Sequence, residues 1–204
     1  IISETNSHAE KTLKEMLIDA KFGDASSRVV VEQFLTGIEL SVFVLTDGTN
    51  YKVLPAAKDY KRIGEKDTGL NTGGMGAVSP VPFADKEFLN KVDKKVIQPS
   101  INGLKKDGID FKGFLFIGLM NMNGEPFVIE YNVRMGDPET QVVLPRIDSD
   151  FLDLMEAAAN GTLNKVDFSV SDETATTVVM VAGGYPEAYQ KGEIITGIDK
   201  IDQS

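Results

Sequence analysis

Three polar side chains stand at alternate positions of one short segment: Glu130, Asn132 and Arg134. Successive side chains of a β-strand point to opposite faces, so this spacing predicts that the three share one face. A carboxylate and an amide carbonyl are hard oxygen ligands, suited to Mg²⁺ held between a protein and nucleotide phosphates. The guanidinium can bind a phosphate or carboxylate through two hydrogen bonds. Asp137 and Glu139 follow closely and strengthen this interpretation over that of an ordinary polar strand face.

The second candidate is the glycine-rich stretch 71–76, which has three glycines among its last four residues. Glycine lets the backbone adopt positive φ and approach a ligand, so that consecutive N–H groups can converge on an anion. Because residues 59–79 contain few large apolar side chains, we predict a long functional loop there, with a flexible surface loop as the alternative. The stretch matches neither a Walker A motif nor a dinucleotide-binding fingerprint. Four cations precede it and favour phosphate contact, namely Lys58, Lys61, Arg62 and Lys66.

A weaker candidate is the segment 32–35, with Glu39 beyond it. A strand that leaves the core through an apolar pair could present its backbone N–H and C=O groups to an adenine edge. An ordinary strand end is the simpler interpretation of this segment taken alone.

Hydrophobic periodicity predicts the elements that must position these residues. Helices are predicted over residues 7–20, 85–103 and 150–159, the first with a capping box of Ser7 and Glu10 and the last ended by Gly161. Strands are predicted over residues 28–35, 38–45, 51–54, 113–122, 127–131 and 176–182. Turn residues between consecutive strands predict antiparallel pairing, and the fold class is therefore α+β.

Composition excludes several classes of function. The chain of 204 residues has no Cys and one His, so thiolate chemistry and multi-histidine metal sites are excluded. The net charge of −10 argues against nucleic acid and anionic membranes as partners, although a local site can still bind a small anion. No signal peptide or membrane span is recognisable, and we expect a cytoplasmic protein. The start Ile1-Ile2, in mid-pattern and without Met, leads us to expect a segment of a longer protein.

These motifs, in this order, resemble the phosphoribosylamine–glycine ligase family, also called glycinamide ribonucleotide synthetase, of the ATP-grasp superfamily. The similarity covers residues 22–198. The motifs that carry it are Asp59-Tyr60-Lys61-Arg62, Lys66-Asp67-Thr68-Gly69, Asn71-Thr72-Gly73-Gly74-Met75-Gly76, Gly113-Phe114-Leu115 and Arg134-Met135-Gly136-Asp137-Pro138-Glu139-Thr140-Gln141. The resemblance implies an ATP-grasp domain over residues 1–165 and the beginning of a C-terminal domain over residues 172–204.

The resemblance also implies a reaction and a set of site residues. Glycine's carboxylate attacks the γ-phosphate of ATP to give glycyl phosphate, and the amine of 5-phosphoribosylamine then displaces phosphate. ATP and Mg²⁺, or Mn²⁺, are the expected cofactors. Glu130 and Asn132 would bind the metal, and Lys61 and Arg134 would act in catalysis. ATP would contact Glu32, Phe34, Leu35, Glu39 and Lys61. The two substrates would contact Asp67, Thr68, Asn71, Thr72, Gly73, Gly74, Met75, Gly76, Arg134, Asp137, Pro138 and Glu139.

Two departures from the family pattern leave alternatives open. Many ATP-grasp enzymes place a second acidic metal ligand where this chain has Ile117-Gly118-Leu119. One metal position would therefore have fewer protein ligands, or Asp137 or Glu139 would take that role. We also expect the family's N-terminal domain and its lysine-bearing phosphate loop to lie outside this sequence. The alternatives are therefore another ATP-grasp carboxylate–amine ligase, or a non-catalytic nucleotide-binding module. We expect the intact enzyme to be a monomer, and this chain alone to be inactive and to self-associate.

Overall fold

The computed structural model describes residues 1–201. The chain divides into two compact units, Ile1–Thr36 and the residues from Gly37 onward. The first unit contains helix α1, Asn6–Leu17. Its N-cap is Thr5, whose hydroxyl accepts a hydrogen bond from the His8 backbone N–H at 3.2 Å. The predicted capping box at Ser7 is therefore wrong, because Ser7 already lies inside the helix while Thr5 keeps an extended backbone.

The segment 28–35 also differs from its prediction. It runs extended but pairs with no strand among residues 1–201. Val30 and Val31 are 75% and 78% exposed, so the predicted buried strand is wrong. Three consecutive valines favour an extended backbone, but burial needs a partner sheet, which the described residues do not supply.

The second unit is built on a four-stranded antiparallel sheet of order β2-β1-β5-β6. Its strands are β1 (Ile38–Thr46), β2 (Tyr51–Val53), β5 (Gly113–Met122) and β6 (Glu125–Asn132). All four were predicted, and the predicted α+β class is confirmed. One face of the sheet packs on helices α2 (Lys86–Val92) and α3 (Gln98–Lys106), which are joined by a π-helical turn, Asp93–Ile97.

Residues 59–79 are not the long loop that their composition predicts. They form strands β3 (Lys58–Gly64) and β4 (Thr68–Ser79), and β7 (Ala175–Val178) completes this second antiparallel sheet in the order β3-β4-β7. The predicted last strand thus ends earlier than expected, at Val178. Between β3 and β4 the register shifts, because a single residue, Lys61, lies opposite the four residues 72–75.

Short helices follow β6 and close the other face of the first sheet. These are α4 (Thr140–Val143) and α5 (Phe151–Asn160). As predicted, α5 ends at Gly161, which adopts the left-handed conformation, and the Asp150 side chain caps its N-terminus. Within residues 1–201, every helix is too short or too polar to cross a bilayer.

Candidate functional site

Polar side chains collect on the face of the first sheet that points away from α2 and α3. In β1, Leu40 is buried toward those helices, so the alternate residues Glu39 and Ser41 point to the opposite face. Ser41 pairs with Gly118 of β5, and Gly118 pairs with Glu130 of β6. A Cβ at Gly118 would lie 3.2 Å from Glu130 Cγ. The glycine in the middle strand therefore leaves room for the Glu130 side chain to lie over the sheet.

Strand β3 brings a lysine to this face. Lys61 Nζ donates a hydrogen bond to Glu39 Oε1 and lies 3.7 Å from Asp59 Oδ2. Burial alone would lower the pKa of Lys61, but the Glu39 hydrogen bond and the charge of Asp59 outweigh it and raise the pKa, with a further contribution from Glu130. Lys61 is therefore a fixed cation at neutral pH.

Two buried carboxyl groups lie behind this lysine. Glu139, which is 3% exposed, accepts a hydrogen bond from Ser41 Oγ at 2.9 Å, and Asp59 is 6% exposed. Burial raises the pKa of both groups, and the charge of Asp59 adds to the rise at Glu139. The site thus combines one protonated amine with two buried carboxyl groups whose pKa values are raised.

A cavity of about 330 Å³ opens beside these groups. Its lining is mainly polar and includes Glu39, Asp59, Lys61, Asp67 and Asn71. A fixed ammonium, carboxylate acceptors and an amide can together orient a ligand that carries both hydroxyl groups and negative charge.

The predicted metal ligands, Glu130 and Asn132, lie two residues apart on β6. Within residues 1–201, no three His, Cys, Asp or Glu side chains are grouped as a metal cage. Mg²⁺ is usually held by one or two carboxylates together with water and substrate phosphates. One carboxylate and one amide oxygen near a fixed cation therefore fit a metal ion shared with a nucleotide, and do not fit a closed protein site.

The glycine-rich stretch packs against the protein's own chain at two of its glycines. Gly74 has φ +135°, and a Cβ there would overlap Pro138 Cδ. A Cβ at Gly76 would lie 2.6 Å from the Thr177 carbonyl oxygen of β7. Gly73 remains open, with its N–H donating to the Tyr185 hydroxyl at 3.3 Å. At these two positions, therefore, glycine is explained by packing, and the predicted substrate contacts of the stretch stay predictions.

Other predicted site residues lie at separate places. Arg134 is exposed and donates a hydrogen bond to the Met135 carbonyl at 2.8 Å, and Asp137 accepts a hydrogen bond from Gln141 at 2.9 Å.

In the first unit, Glu32 and Phe34 line an open cavity of about 410 Å³, while Leu35 does not. Asp67 lies in the β3–β4 turn, adopts positive φ and lines the charged cavity described above. The Thr68 hydroxyl donates a hydrogen bond to the Glu65 carbonyl. Thr72 donates to the Lys61 carbonyl at 2.8 Å, and the Met75 carbonyl accepts from Val179.

Two residues of the site, Asp59 and Ser41, were missed as functional candidates. Asp59 stands two positions before Lys61, which in a strand places both side chains on one face. That signal was available, but the interpretation of the region as a loop removed the reason to apply it. Ser41 is a polar residue in an otherwise apolar strand, and its partner Glu139 lies 98 residues away in sequence.

Two antiparallel sheets around a charged cleft are the architecture of an ATP-grasp domain. Residues 1–140 match the family described as phosphoribosylglycinamide synthetase, ATP-grasp (A) domain, and the chain belongs to this family. The resemblance seen in the motifs is thereby confirmed.

Individual relatives agree with this assignment. The chain is 47% identical over 196 residues to phosphoribosylamine–glycine ligase of Chlorobaculum tepidum, covering 96% of this chain and 46% of that protein. It is 50% identical over 198 residues to a bifunctional purine biosynthetic protein of Pichia angusta, covering 96% and 25%. The crystal structure of phosphoribosylamine–glycine ligase from Thermotoga maritima superposes with a TM-score of 0.82 at 33% identity, covering 94% and 48%. The chain thus spans half or less of the length of these relatives.

Proposed function

We propose that the protein containing this chain ligates glycine to 5-phosphoribosylamine with ATP, forming glycinamide ribonucleotide, ADP and phosphate in purine biosynthesis. The observation that carries the proposal is the family match over residues 1–140, with relatives named for this reaction covering nearly all of the chain. Because those relatives are about twice as long, the activity is proposed for the whole protein.

The proposed reaction has two displacement steps. A carboxylate oxygen of glycine bonds to the γ-phosphorus of ATP, and ADP leaves with the electrons of the broken P–O bond. The amine of phosphoribosylamine then bonds to the acyl carbon of glycyl phosphate, phosphate leaves, and the nitrogen loses a proton. Negative charge on the transferring phosphoryl oxygens is the main electrostatic demand of the first step.

Residues of the described face meet this demand. Lys61, fixed by Glu39 and Asp59, places a positive charge beside the cavity. Glu130 and Asn132 would hold Mg²⁺ or Mn²⁺, which when bound supplies further positive charge to the phosphoryl oxygens. Glu39 uses one carboxylate oxygen for Lys61, and its second oxygen can accept a ribose hydroxyl.

The remaining assignments follow the family resemblance. Glu32, Phe34 and Leu35 would contact adenine, and Arg134 would steady the acyl phosphate. Asp67 and Asn71 line the charged cavity and would contact the acceptor substrate. The division into an ATP-grasp domain over 1–165 and a further domain over 172–204, the cytoplasmic location, the monomeric state of the intact enzyme and the self-association of this chain all stay predictions.

A second candidate is an ATP-grasp ligase that joins a carboxylate to a different amine. This alternative stands because the carboxylate–amide pair on β6, Glu130 and Asn132, does not by itself specify the amine acceptor. ADP release from the complete gene product distinguishes the two. Release that requires glycine and phosphoribosylamine together supports the proposal, whereas release with glycine that is indifferent to phosphoribosylamine rejects the acceptor.

The metal assignment is tested in the same assay. Glu130→Ala should abolish Mg²⁺-dependent ADP release, because it removes the one carboxylate of the proposed pair. Glu125→Ala is the matched control, since Glu125 lies on the same strand but forms surface ion pairs with Lys91 and Lys95. Turnover by Glu130→Ala with unchanged Mg²⁺ dependence would show that another residue binds the metal.

A further inference from the structure

The segment that follows β7 reaches back to the glycine-rich stretch. Strand β7 pairs with residues 76–79 of β4. Beyond the paired residues, the Val179 N–H donates to the Met75 carbonyl at 2.9 Å. Further on, the Tyr185 hydroxyl accepts a hydrogen bond from the Gly73 N–H at 3.3 Å. The chain after β7 thus continues to contact the stretch at positions that approach Gly73.

The ring of Tyr185 is held by its own turn, residues 182–189, which we call the tyrosine turn. The Tyr185 N–H donates to the Ala182 carbonyl at 3.2 Å. Gly184 has φ +97°, which residues with a side chain rarely adopt, so the turn favours glycine there. The Tyr185 ring packs edge-on against the Tyr189 ring, with the centroids 5.5 Å apart. These contacts orient the ring independently of its contact with the glycine-rich stretch.

Gly73 is the glycine of the stretch that packing leaves least constrained. An added Cβ would overlap neighbouring chain atoms at Gly74 and Gly76. At Gly73, the only atom of residues 1–201 within 4 Å of an added Cβ would be the Tyr185 hydroxyl oxygen, at 3.7 Å. Because glycine has access to many backbone conformations, a glycine without close packing needs another contact to keep one of them. The Tyr185 hydroxyl supplies that contact.

The hydrogen bond also complements the one made by the next residue. The Gly74 N–H donates to Thr72 Oγ1 at 3.0 Å, so it is held from within the stretch itself. The Gly73 N–H is held by a side chain 112 positions away in sequence. Each bond fixes one planar peptide group, and therefore also the direction of the carbonyl in that group. Together they determine the backbone surface that a ligand at the stretch would meet.

We propose that Tyr185 is a positioning residue, which holds the backbone of the glycine-rich stretch in the conformation that meets the substrates. The inference rests on the proposed function for the statement that the stretch contacts glycine and phosphoribosylamine. The bond between Tyr185 and Gly73 does not depend on that statement. A backbone fixed in advance loses less conformational entropy when a ligand binds. Loss of the hydroxyl should therefore weaken substrate binding more than it slows the reaction of the bound substrates.

Tyr185→Phe and Tyr189→Phe in the complete gene product form a matched pair for the test. Each change removes one hydroxyl and keeps the pair of rings, but among the hydrogen bonds within residues 1–201 none involves the Tyr189 hydroxyl. Amide hydrogen exchange at Gly73 measures the contact itself. ADP release at varied concentrations of glycine, phosphoribosylamine and ATP gives kcat and the three KM values.

We expect the Gly73 amide to exchange about two- to tenfold faster in Tyr185→Phe, as the loss of one hydrogen bond allows, and at the parent rate in Tyr189→Phe. The KM for glycine, for phosphoribosylamine or for both should rise about two- to tenfold in Tyr185→Phe. The kcat and the KM for ATP should stay at the parent values, because the stretch is proposed to contact the other two substrates.

Three results would overturn the proposal. Unchanged exchange of the Gly73 amide in Tyr185→Phe would show that the contact does not hold this backbone. Faster exchange with unchanged KM values for both substrates would show that Tyr185 only attaches the tyrosine turn to β4. Equal effects in Tyr189→Phe would show that the Tyr185 hydroxyl has no special role.

Failure of the proposed function gives a different result. ADP release would then not depend on phosphoribosylamine, and the KM for another amine would rise in Tyr185→Phe and not in Tyr189→Phe. That outcome supports the positioning role of Tyr185 and rejects the proposed acceptor.

Discussion

Gly74 fits a place in β4 that no other residue fits without strain. Its φ of +135° lies in a region that side chains rarely adopt, and an added Cβ would overlap Pro138 Cδ and lie 3.2 Å from the Asp137 carbonyl oxygen. Pro138 directly precedes Glu139, whose carboxyl group is hydrogen-bonded to Ser41 of the first sheet. Gly74→Ala should therefore disturb both the backbone of β4 and the turn that carries Glu139.

The expected cost combines three contributions. Forcing a non-glycine residue into this backbone region costs about 1–3 kcal/mol. The overlap with proline acts like overpacking of a filled core, which costs about 1–3 kcal/mol. Alanine restricts the unfolded chain and returns about 0.4–1 kcal/mol. The net loss in the free energy of unfolding should be about 1–6 kcal/mol for Gly74→Ala, with a central value of about 3 kcal/mol.

The neighbouring glycine supplies the control. Gly73 has no positive φ, and the nearest atom to its added Cβ is the Tyr185 hydroxyl at an ordinary 3.7 Å, so Gly73→Ala should stay within about 1 kcal/mol of the parent. The chain has no Trp, so urea unfolding is followed by far-ultraviolet circular dichroism. Equal urea midpoints for Gly74→Ala and Gly73→Ala would refute the packing argument. Both glycines would then be better explained by close approach of the backbone to a ligand.

Three further predictions concern buried polar groups. Burial raises the folded-state pKa of Glu139, so its carboxyl group stabilises the fold below the unfolded value of 4.5, and this contribution is lost as pH rises through the folded pKa. In urea unfolding, the Glu139→Gln variant should therefore be as stable as the parent at pH 4 and more stable than the parent at pH 8. Burial also acts to raise the pKa of Asp47, but hydrogen bonds from Asn50, Thr49 and Leu163 outweigh it and lower the pKa. Its contribution is therefore present above the unfolded value of 3.8 and is lost as pH falls, and Asp47→Asn should cost about 1–3 kcal/mol at pH 7 and less near pH 3 in thermal melts. Arg146 donates to Ser79 and to the carbonyls of Ser171 and Glu173, so Arg146→Met should cost about 2–4 kcal/mol and speed amide hydrogen exchange in β7 more than in β1.

The first sheet could be predicted because each of its strands carries its own pattern. Apolar residues alternate in β1, and β5 and β6 are joined by an Asn-Gly turn. The shared face of Glu130 and Asn132 follows from the period of two and from the strand that contains them. Their approach to Lys61 does not follow, since it depends on how two sheets pack.

Strands β3 and β4 of the second sheet were missed for a physical reason, although its third strand, β7, was predicted. Residues on both faces of β3 line the charged cavity, so neither face shows the apolar alternation that identifies a strand. The glycines of β4 suggested a mobile loop, but Gly74 and Gly76 admit Pro138 and Thr177, which are 64 and 101 residues away in sequence. Contacts at such separations leave no local signal.

The opposite error occurred at residues 28–35, where local preference was strong and the structure did not follow it. Three valines in a row favour extended backbone, and the segment is extended, but a strand also needs a hydrogen-bonded neighbour. None is present among residues 1–201, and Phe34 remains 63% exposed. Propensity thus predicted the backbone conformation correctly and the burial incorrectly.

Charge on β3 illustrates why net charge and local charge lead to different conclusions. At physiological ionic strength, charges separated by more than about 8 Å are largely screened. The negative net charge of the chain therefore argues against extended polyanions as partners, but it does not determine the local charge near a small bound anion. The positive charge that a small anion meets depends more on whether the nearby cations are paired with carboxylates than on how many cations there are. Lys61 is already paired with carboxylates, whereas Lys58, Arg62 and Lys66 form no ion pair within residues 1–201. Neighbouring cations of one strand therefore differ in the charge that they leave available to a small anion.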